Sequence, residues 1–176
     1  MTVEEYLHGM DNALLLIDTA KIVHIIELMI KARGEGATVY TFGNGGSGST
    51  ASHFAGDLAK ACNMRAFCLN DSVPLVTAWS NDADYKVVFE RQLDRLIKKG
   101  DMVFAISGSG KSPNVIRGLQ LAKAKGAVTI GLTAFDGGVL KDIASVSLVV
   151  PVKNMEQAED LHLMVCHILK TALVIK

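Results

Sequence analysis

The chain is poor in the residues that mark secreted, nucleic-acid-binding or membrane proteins. It has three cysteines, three prolines and one tryptophan in 176 residues, and its formal net charge is zero. Cys62, Cys68 and Cys166 are odd in number and lack metal-knuckle or redox spacing, which excludes a disulfide framework and reads as ordinary thiols in a reducing cytoplasm. Without a basic block or an aromatic stripe, nucleic acid is not an expected ligand. No apolar run is long enough to span a bilayer. At the N-terminus, Thr2 with Glu5 resembles a capping box that starts a helix, so no targeting segment is read there. There is also no internal repeat and no low-complexity linker. The expectation is a single domain over residues 1–176 with a sizeable core.

What the chain does have is alternation. Helical patterns cover roughly Val3 to Ala32, Ser47 to Cys62, Asp84 to Lys99, Pro113 to Lys125 and Met155 to Ile175. Short β-branched or apolar runs lie near Ala37–Phe42, Arg65–Leu69, Met102–Ser107, Val128–Thr133 and Val146–Val152. Strand and helix in regular order predict an α/β fold. The expected architecture is a three-layer αβα sandwich whose five-stranded parallel sheet is covered on both faces. Ligands of such sheets collect outside the carboxyl ends of the strands. The long N-terminal helix stands outside the alternating unit. Its apolar residues, Leu14 to Leu16 and Ile22 to Ile30 among them, pack on its own sheet or on another subunit. His8 and His24 read as packing or edge histidines.

Two glycine- and hydroxyl-rich loops fall at strand ends. The first, Gly43-Asn44-Gly45-Gly46-Ser47-Gly48-Ser49-Thr50, joins a strand to a helix. Free N–H groups and the positive end of a helix converge there, which suits an anion, most often a phosphate. Gly43-x-Gly45-x-x-Gly48 meets the dinucleotide fingerprint, with Asp71 at about the spacing of a ribose-binding acid. The second loop, Ser107-Gly108-Ser109-Gly110-Lys111-Ser112, argues against that reading. It ends like a nucleotide P-loop, but Ala105 stands where that motif needs its first glycine. Pro113 then opens a helix. Two serine-rich cradles after two parallel strands favour a small phosphorylated ligand over a dinucleotide.

His53 and Asp57, four apart, share a face of the helix that follows the first loop. Near the C-terminus, Glu156, Glu159, Asp160, His162 and His167 are spread along a largely apolar helix. A histidine in that setting is either buried neutral with a partner or does chemistry, and composition leaves both open.

The stretches Phe42 to Ser47 and His53-Phe54-Ala55 resemble the phosphosugar isomerases of the sugar isomerase (SIS) fold, the phosphoheptose isomerases in particular. So do Asn81-Asp82, Phe89-x-Arg91-Gln92, Ser107 to Val115, Gly131-Leu132-Thr133, Asp136-Gly137-Gly138 and the tail His162 to Leu169. The likeness runs from about residue 35 to 170. It implies conversion of sedoheptulose 7-phosphate to an aldose through an enediol, in the cytoplasm, on a route to lipopolysaccharide or another surface polysaccharide. It also implies a homotetramer with active sites shared between subunits. By resemblance, Ser107, Ser109 and Ser112 hold the phosphate, helped by Asn44, Gly45, Gly46 and Ser47, with Asp71, Asn81 and Asp82 toward the sugar. The same resemblance makes Asp57 and His167 catalytic, and Glu159, at the family's glutamine position, adds a further candidate catalytic base. It places one zinc ion per subunit, where a metal is present, on His53, Asp57, Glu159 and His167.

The chain departs from the family pattern at three points. Asp57 stands where the family has Glu, Glu159 where it has Gln, and Asn70-Asp71-Ser72-Val73-Pro74 replaces a Thr-Asp segment. Glu159 and His167 are eight residues apart, roughly 12 Å on one straight helix, so one ion cannot take both unless Glu159 precedes the helix or a neighbouring chain supplies one of them. The expected chemistry gives proton removal to Glu159 or Asp57 and the acid role to His167, with a divalent ion polarising the carbonyl. A non-catalytic SIS protein that binds a sugar phosphate or a protein partner, and an isomerase of another phosphosugar, are the alternatives. Trp79 has no assigned role beyond a packed loop.

Overall fold

Side chains that alternate along the strands feed two different helical layers. In the computed structural model, which describes residues 1–174, β1 (Thr38–Gly43), β2 (Arg65–Cys68), β3 (Met102–Ile106), β4 (Val128–Thr133) and β5 (Val146–Val149) form one sheet. All neighbours are parallel, in the order β2-β1-β3-β4-β5. Met102, Phe104 and Ile106 of β3 point into one core, with Ile25, Met29, Phe54, Leu58, Val165 and Leu169. Those partners come from α2 (Thr19–Gly34), α3 (Gly46–Ala61) and α8 (Met155–Leu173). Val103 and Ala105 point the other way, with Tyr40 and Phe42 of β1, onto Phe89, Leu93, Val115 and Leu119. These belong to α5 (Val88–Leu96) and α6 (Pro113–Ala124). Period-two alternation between two buried faces explains why β1 and β3 read as unbroken apolar runs. Each Leu, Met or Phe fully buried this way contributes about 1.5–3 kcal/mol.

The order reverses direction at β1, which pairs with β2 on one side and β3 on the other. Gly43 and Ile106 are register partners, so the two serine-rich loops leave the sheet side by side. A crevice at such a switch point is where ligands of open α/β sheets bind.

The long N-terminal helix is two helices. α1 (Val3–Leu16) ends before Asp18, which caps α2 by accepting a hydrogen bond from the Lys21 amide at 3.0 Å. The capping box at Thr2 and Glu5 is formed as read. α1 reaches the main body through Ala13, packed with Val150, Val152, Ala158 and Leu161. Leu7, Leu15 and Leu16 remain 61%, 79% and 70% exposed.

Two short helices were not read from the sequence. α4 (Val73–Asp82) carries Pro74 in its first turn, where a missing N–H costs nothing, and α7 (Gly138–Ile143) follows the Asp136-Gly137-Gly138 turn. The helix expected from Asp84 to Lys99 is a 3-10 turn (Tyr85–Val87) followed by α5, which ends at Leu96. β5 stops at Val149, and α8 ends at Leu173, with its expected last residue, Ile175, outside the described residues.

Candidate active site

The two loops open helices whose first turns carry no side-chain cap. The N-cap of α3 is Gly45, and the N-cap of α6, Ser112, makes no capping hydrogen bond with its side chain. The Gly46 and Ser47 N–H groups of α3 and the Asn114 N–H of α6 are therefore open to an anion, whereas Pro113 has no N–H and the Val115 N–H is taken by Asn114 Oδ1. Between them lies a cavity of about 260 Å³, walled by Asn44, Gly45 and Ser47 from one loop and Ser107, Ser109 and Ser112 from the other. Ser107 Oγ donates to Ser112 Oγ at 3.2 Å, and the Lys111 amide donates to Ser109 Oγ at 3.2 Å, which sets the three hydroxyls in a fixed curl. Met155 and Glu159 of α8 complete the wall.

Glu159 sits directly on the first loop. A Cβ at Gly46 would overlap the end of the Glu159 side chain, so glycine there lets the carboxylate lie against the positive end of α3 and a larger residue displaces it. Gly46→Ala is expected to push Glu159 out of the cavity, read as weaker binding of a phosphorylated sugar by calorimetry with unchanged secondary structure.

The first loop is held by an amide network. Asn44 Nδ2 donates to Asn114 Oδ1 at 2.9 Å, Asn114 Nδ2 returns a bond to Asn44 Oδ1 at 2.8 Å, and Tyr85 Oη donates to the same oxygen at 2.8 Å. Asn114 is buried and also accepts from the Val115 amide. The sequence reading gave Asn114 and Tyr85 no role. Asn114 stood in a quoted motif, whereas Tyr85 carried no local signal. Asn70 is explained in the same way: its amide exchanges two hydrogen bonds with the Gly43 backbone, at 3.2 and 2.8 Å, and so extends the β1–β2 ladder past its end.

A second group of side chains lies further along α3 and α8. His53, Asp57 and His167 each offer one ligand atom, and these three atoms lie within 4.8 Å of one another. His53 Nε2 is 3.1 Å from His167 Nε2 and 3.6 Å from Asp57 Oδ2. Two imidazole nitrogens and a carboxylate oxygen are a familiar zinc set. At zinc–nitrogen distances of 2.0–2.1 Å, a tetrahedral edge is about 3.3 Å. The residues present fit a divalent ion with an open fourth position. Glu159 is not among them in the same chain: it lies two turns earlier on α8, in the serine cavity. The helical rise that separates Glu159 from His167 keeps the two apart, as both fall within α8.

Asp71 lines the open cleft between the two groups, with Gly48, Ser52, His53 and Asn70. Asn81 and Asp82 are not brought to the cavity. They sit exposed at the end of α4, where Asn81 Nδ2 donates to Asp82 Oδ1 at 2.9 Å. Trp79, on the same helix, packs under the Arg91 guanidinium.

The two histidines of α8 divide between the two readings. His167 is exposed in the cluster, whereas His162 is fully buried, with Nε2 3.0 Å from the Thr133 carbonyl oxygen. Burial pushes its pKa down to about 4. Folding therefore holds His162 neutral, while the unfolded chain takes up a proton below its ordinary value near 6.5. Its stabilising contribution is complete above that value and is lost as pH falls toward 4. Between pH 7 and 4.5 the native chain is expected to lose roughly 2–3 kcal/mol more stability than His162→Gln, read from denaturant unfolding. Equal pH slopes for the two proteins would contradict this. Cys166, one turn along, is buried and its thiol pushed up by burial. Cys62 and Cys68 are likewise buried and free.

Among the described residues, no helix is long and apolar enough to cross a membrane. The profile of the SIS domain family matches residues 5–134. A phosphoheptose isomerase from Trichlorobacter lovleyi is 35% identical over 86% of this chain and 80% of its own length. A probable phosphoheptose isomerase from Thermoplasma acidophilum is 36% identical over 96% of both chains. The solved phosphoheptose isomerase GmhA from Neisseria gonorrhoeae superposes with a TM-score of 0.90 at 28% identity, over 97% of this chain and 93% of that one. The chain belongs to the SIS domain family and, within it, to the phosphoheptose isomerases.

Proposed function

We propose that this enzyme converts sedoheptulose 7-phosphate to glycero-manno-heptose 7-phosphate. The observation that carries the reading is the serine cavity, in which Ser107, Ser109, Ser112 and two uncapped helix ends face one another. A phosphate held there is remote from the reacting carbons, so its binding energy positions the sugar.

The length of the sugar constrains the rest. At about 1.5 Å per C–C bond, a seven-carbon ester places its carbonyl end on the order of 10 Å from phosphorus. Asp57 lies eleven residues along α3 from Gly46, about 16 Å at 1.5 Å per residue. His53, however, is only seven residues from Gly46 and His167 eight from Glu159, about 10–12 Å at 1.5 Å per residue, so the serine cavity and the cluster are separated by about the length of the substrate. In the homotetramer that the family resemblance implies, one subunit holds the phosphate and another presents the cluster. The exposed Leu7, Leu15 and Leu16 of α1 supply an apolar surface for such assembly. Residues 1–176 then act as one domain per subunit.

In this arrangement Asp57 removes the proton from C1 of the ketose while His167 delivers a proton to the C2 carbonyl oxygen, giving the enediol. The reverse transfers finish the reaction. Carbon C2 receives the proton from Asp57, and the hydroxyl at C1 gives up its proton to His167, leaving the aldehyde. A divalent ion on His53, Asp57 and His167 would occupy the His167 nitrogen, so when bound it would polarise the carbonyl oxygen in place of the His167 proton. Glu159, beside the phosphate at the head of α3, accepts hydrogen bonds from sugar hydroxyls. The Glu159 of a neighbouring subunit is also free to complete the metal set.

A cytoplasmic step toward a surface-polysaccharide precursor is the setting that fits this reaction. The non-catalytic alternative is disfavoured because His53, Asp57 and His167 converge, an arrangement that binding alone does not need. Proton NMR of the purified protein with sedoheptulose 7-phosphate in D₂O tests the activity. Aldose signals and deuterium beside the carbonyl are expected. Line broadening of the ketose without exchange would assign the pocket to binding alone.

A further inference from the structure

Beyond the isomerase site, we infer that the structure carries a second binding pocket, on the far side of Ser109, for a phosphate or pyrophosphate ester that bears a planar ring. The pocket has a volume of about 470 Å³ and is lined by Lys111, Lys153, Phe135 and Asp136, sharing only Ser109 and Met155 with the serine cavity. Met155 is the partition. It lies over Gly108, where a Cβ would collide with its sulfur, so glycine in the second loop makes room for the wall between the two compartments.

Charge is the first reason. Lys111 projects from the serine loop away from the serine cavity, with Nζ 3.0 Å from Asp136 Oδ2. Both side chains are exposed, and such a pair is weak enough for a dianion to compete for the ammonium. Lys153 has no ion-pair partner among the described residues. The pocket therefore carries one cation more than its single carboxylate neutralises.

Phe135 is the second and independent reason. Its φ is +55°, in the left-handed region that a bulky side chain rarely adopts. The backbone is fixed there: the Phe135 amide donates to the Val152 oxygen at 3.0 Å, and the Ala134 amide donates to the Gly108 oxygen at 2.8 Å. Phe135 as a residue is 38% exposed and lines the pocket instead of packing in the core. Strain of this kind persists where surrounding structure enforces it and clusters at ligand sites. Two ammonium groups, an exposed aromatic face, the Met155 thioether and an acceptor at Asp136 match a ring, its hydroxyls and its phosphates together. A bare anion would leave the ring and thioether unused.

Adenosine 5′-diphosphate is a suitable probe, and calorimetry on the native chain the readout. Binding is expected. Lys153→Glu is expected to weaken it about tenfold or more through lost charge-assisted contacts, and Phe135→Ala about fivefold or more through lost stacking. Ser112→Ala, which alters only the serine cavity, leaves it unchanged. The inference is overturned by an absence of binding at millimolar nucleotide, or by pyrophosphate binding as tightly as the nucleotide. It is also overturned if Ser112→Ala abolishes binding while Lys153→Glu and Phe135→Ala do not. None of these results depends on turnover of a sugar phosphate, so the outcome is separable from the proposed isomerase activity.

Discussion

His167→Ala is expected to lower turnover of sedoheptulose 7-phosphate by about a thousandfold or more, because it removes a proton-transfer group worth roughly 10²–10⁴ and a cluster ligand at once. Binding of the same sugar phosphate, measured by calorimetry, is expected to change little. The phosphate is held by the loops that follow β1 and β3, and His167 lies two turns beyond Glu159 on α8. The side chain is exposed, and its removal leaves the core made by Val165, Cys166 and Leu169 intact. If turnover and binding were lost together, His167 would be structural and the assignment of the acid would fail. Adding imidazole to the variant and recovering part of the rate would strengthen the assignment.

The second large effect separates two carboxylates. Asp57→Asn is expected to cost roughly 10²–10⁴ in kcat, since the amide can neither accept the C1 proton nor serve as an anionic ligand. Asp57→Glu restores the side chain found at this position in the family pattern and is expected to keep activity within about tenfold of the native chain. Glu159→Gln likewise restores a family residue and is expected to act mainly on KM. The geometry explains the difference, as Asp57 Oδ2 is 3.6 Å from His53 Nε2 whereas Glu159 lies against Gly46 in the phosphate compartment. If Glu159→Gln proved as inactive as Asp57→Asn, the base would have to be reassigned to Glu159.

Much of this could be read before any coordinates, and for identifiable reasons. The parallel sheet follows from strands such as Met102–Ile106 that are buried on both faces and so apolar throughout. The His53–Asp57 pairing follows from helical spacing alone, and the serine loops from their position after strands. The break between α1 and α2 was hidden because Leu14, Leu15, Leu16 and Ile17 continue the apolar pattern up to Asp18, whose capping role depends on the chain turning there. α4 was missed because Pro74 reads equally as a loop or as a first helical turn, and because none of its residues is buried. Tyr85 and Asn114 could not be found from spacing, since they meet Asn44 only through the folded sheet. The separation of Glu159 from the His–Asp–His cluster, by contrast, was already implied by eight residues of helix.

The central claim is that the phosphate is held by one subunit and the proton is moved by another. It is tested most directly by co-expressing two inactive chains with different affinity tags, one Ser107→Ala/Ser109→Ala and the other His167→Ala, and isolating assemblies that contain both. Some sites in such assemblies combine an intact serine cavity from one chain with an intact cluster from its neighbour, so isomerase activity is expected to return although each chain alone is inactive. Assemblies as inactive as either parent would contradict the shared site and require one chain's loops and cluster to act on the same sugar.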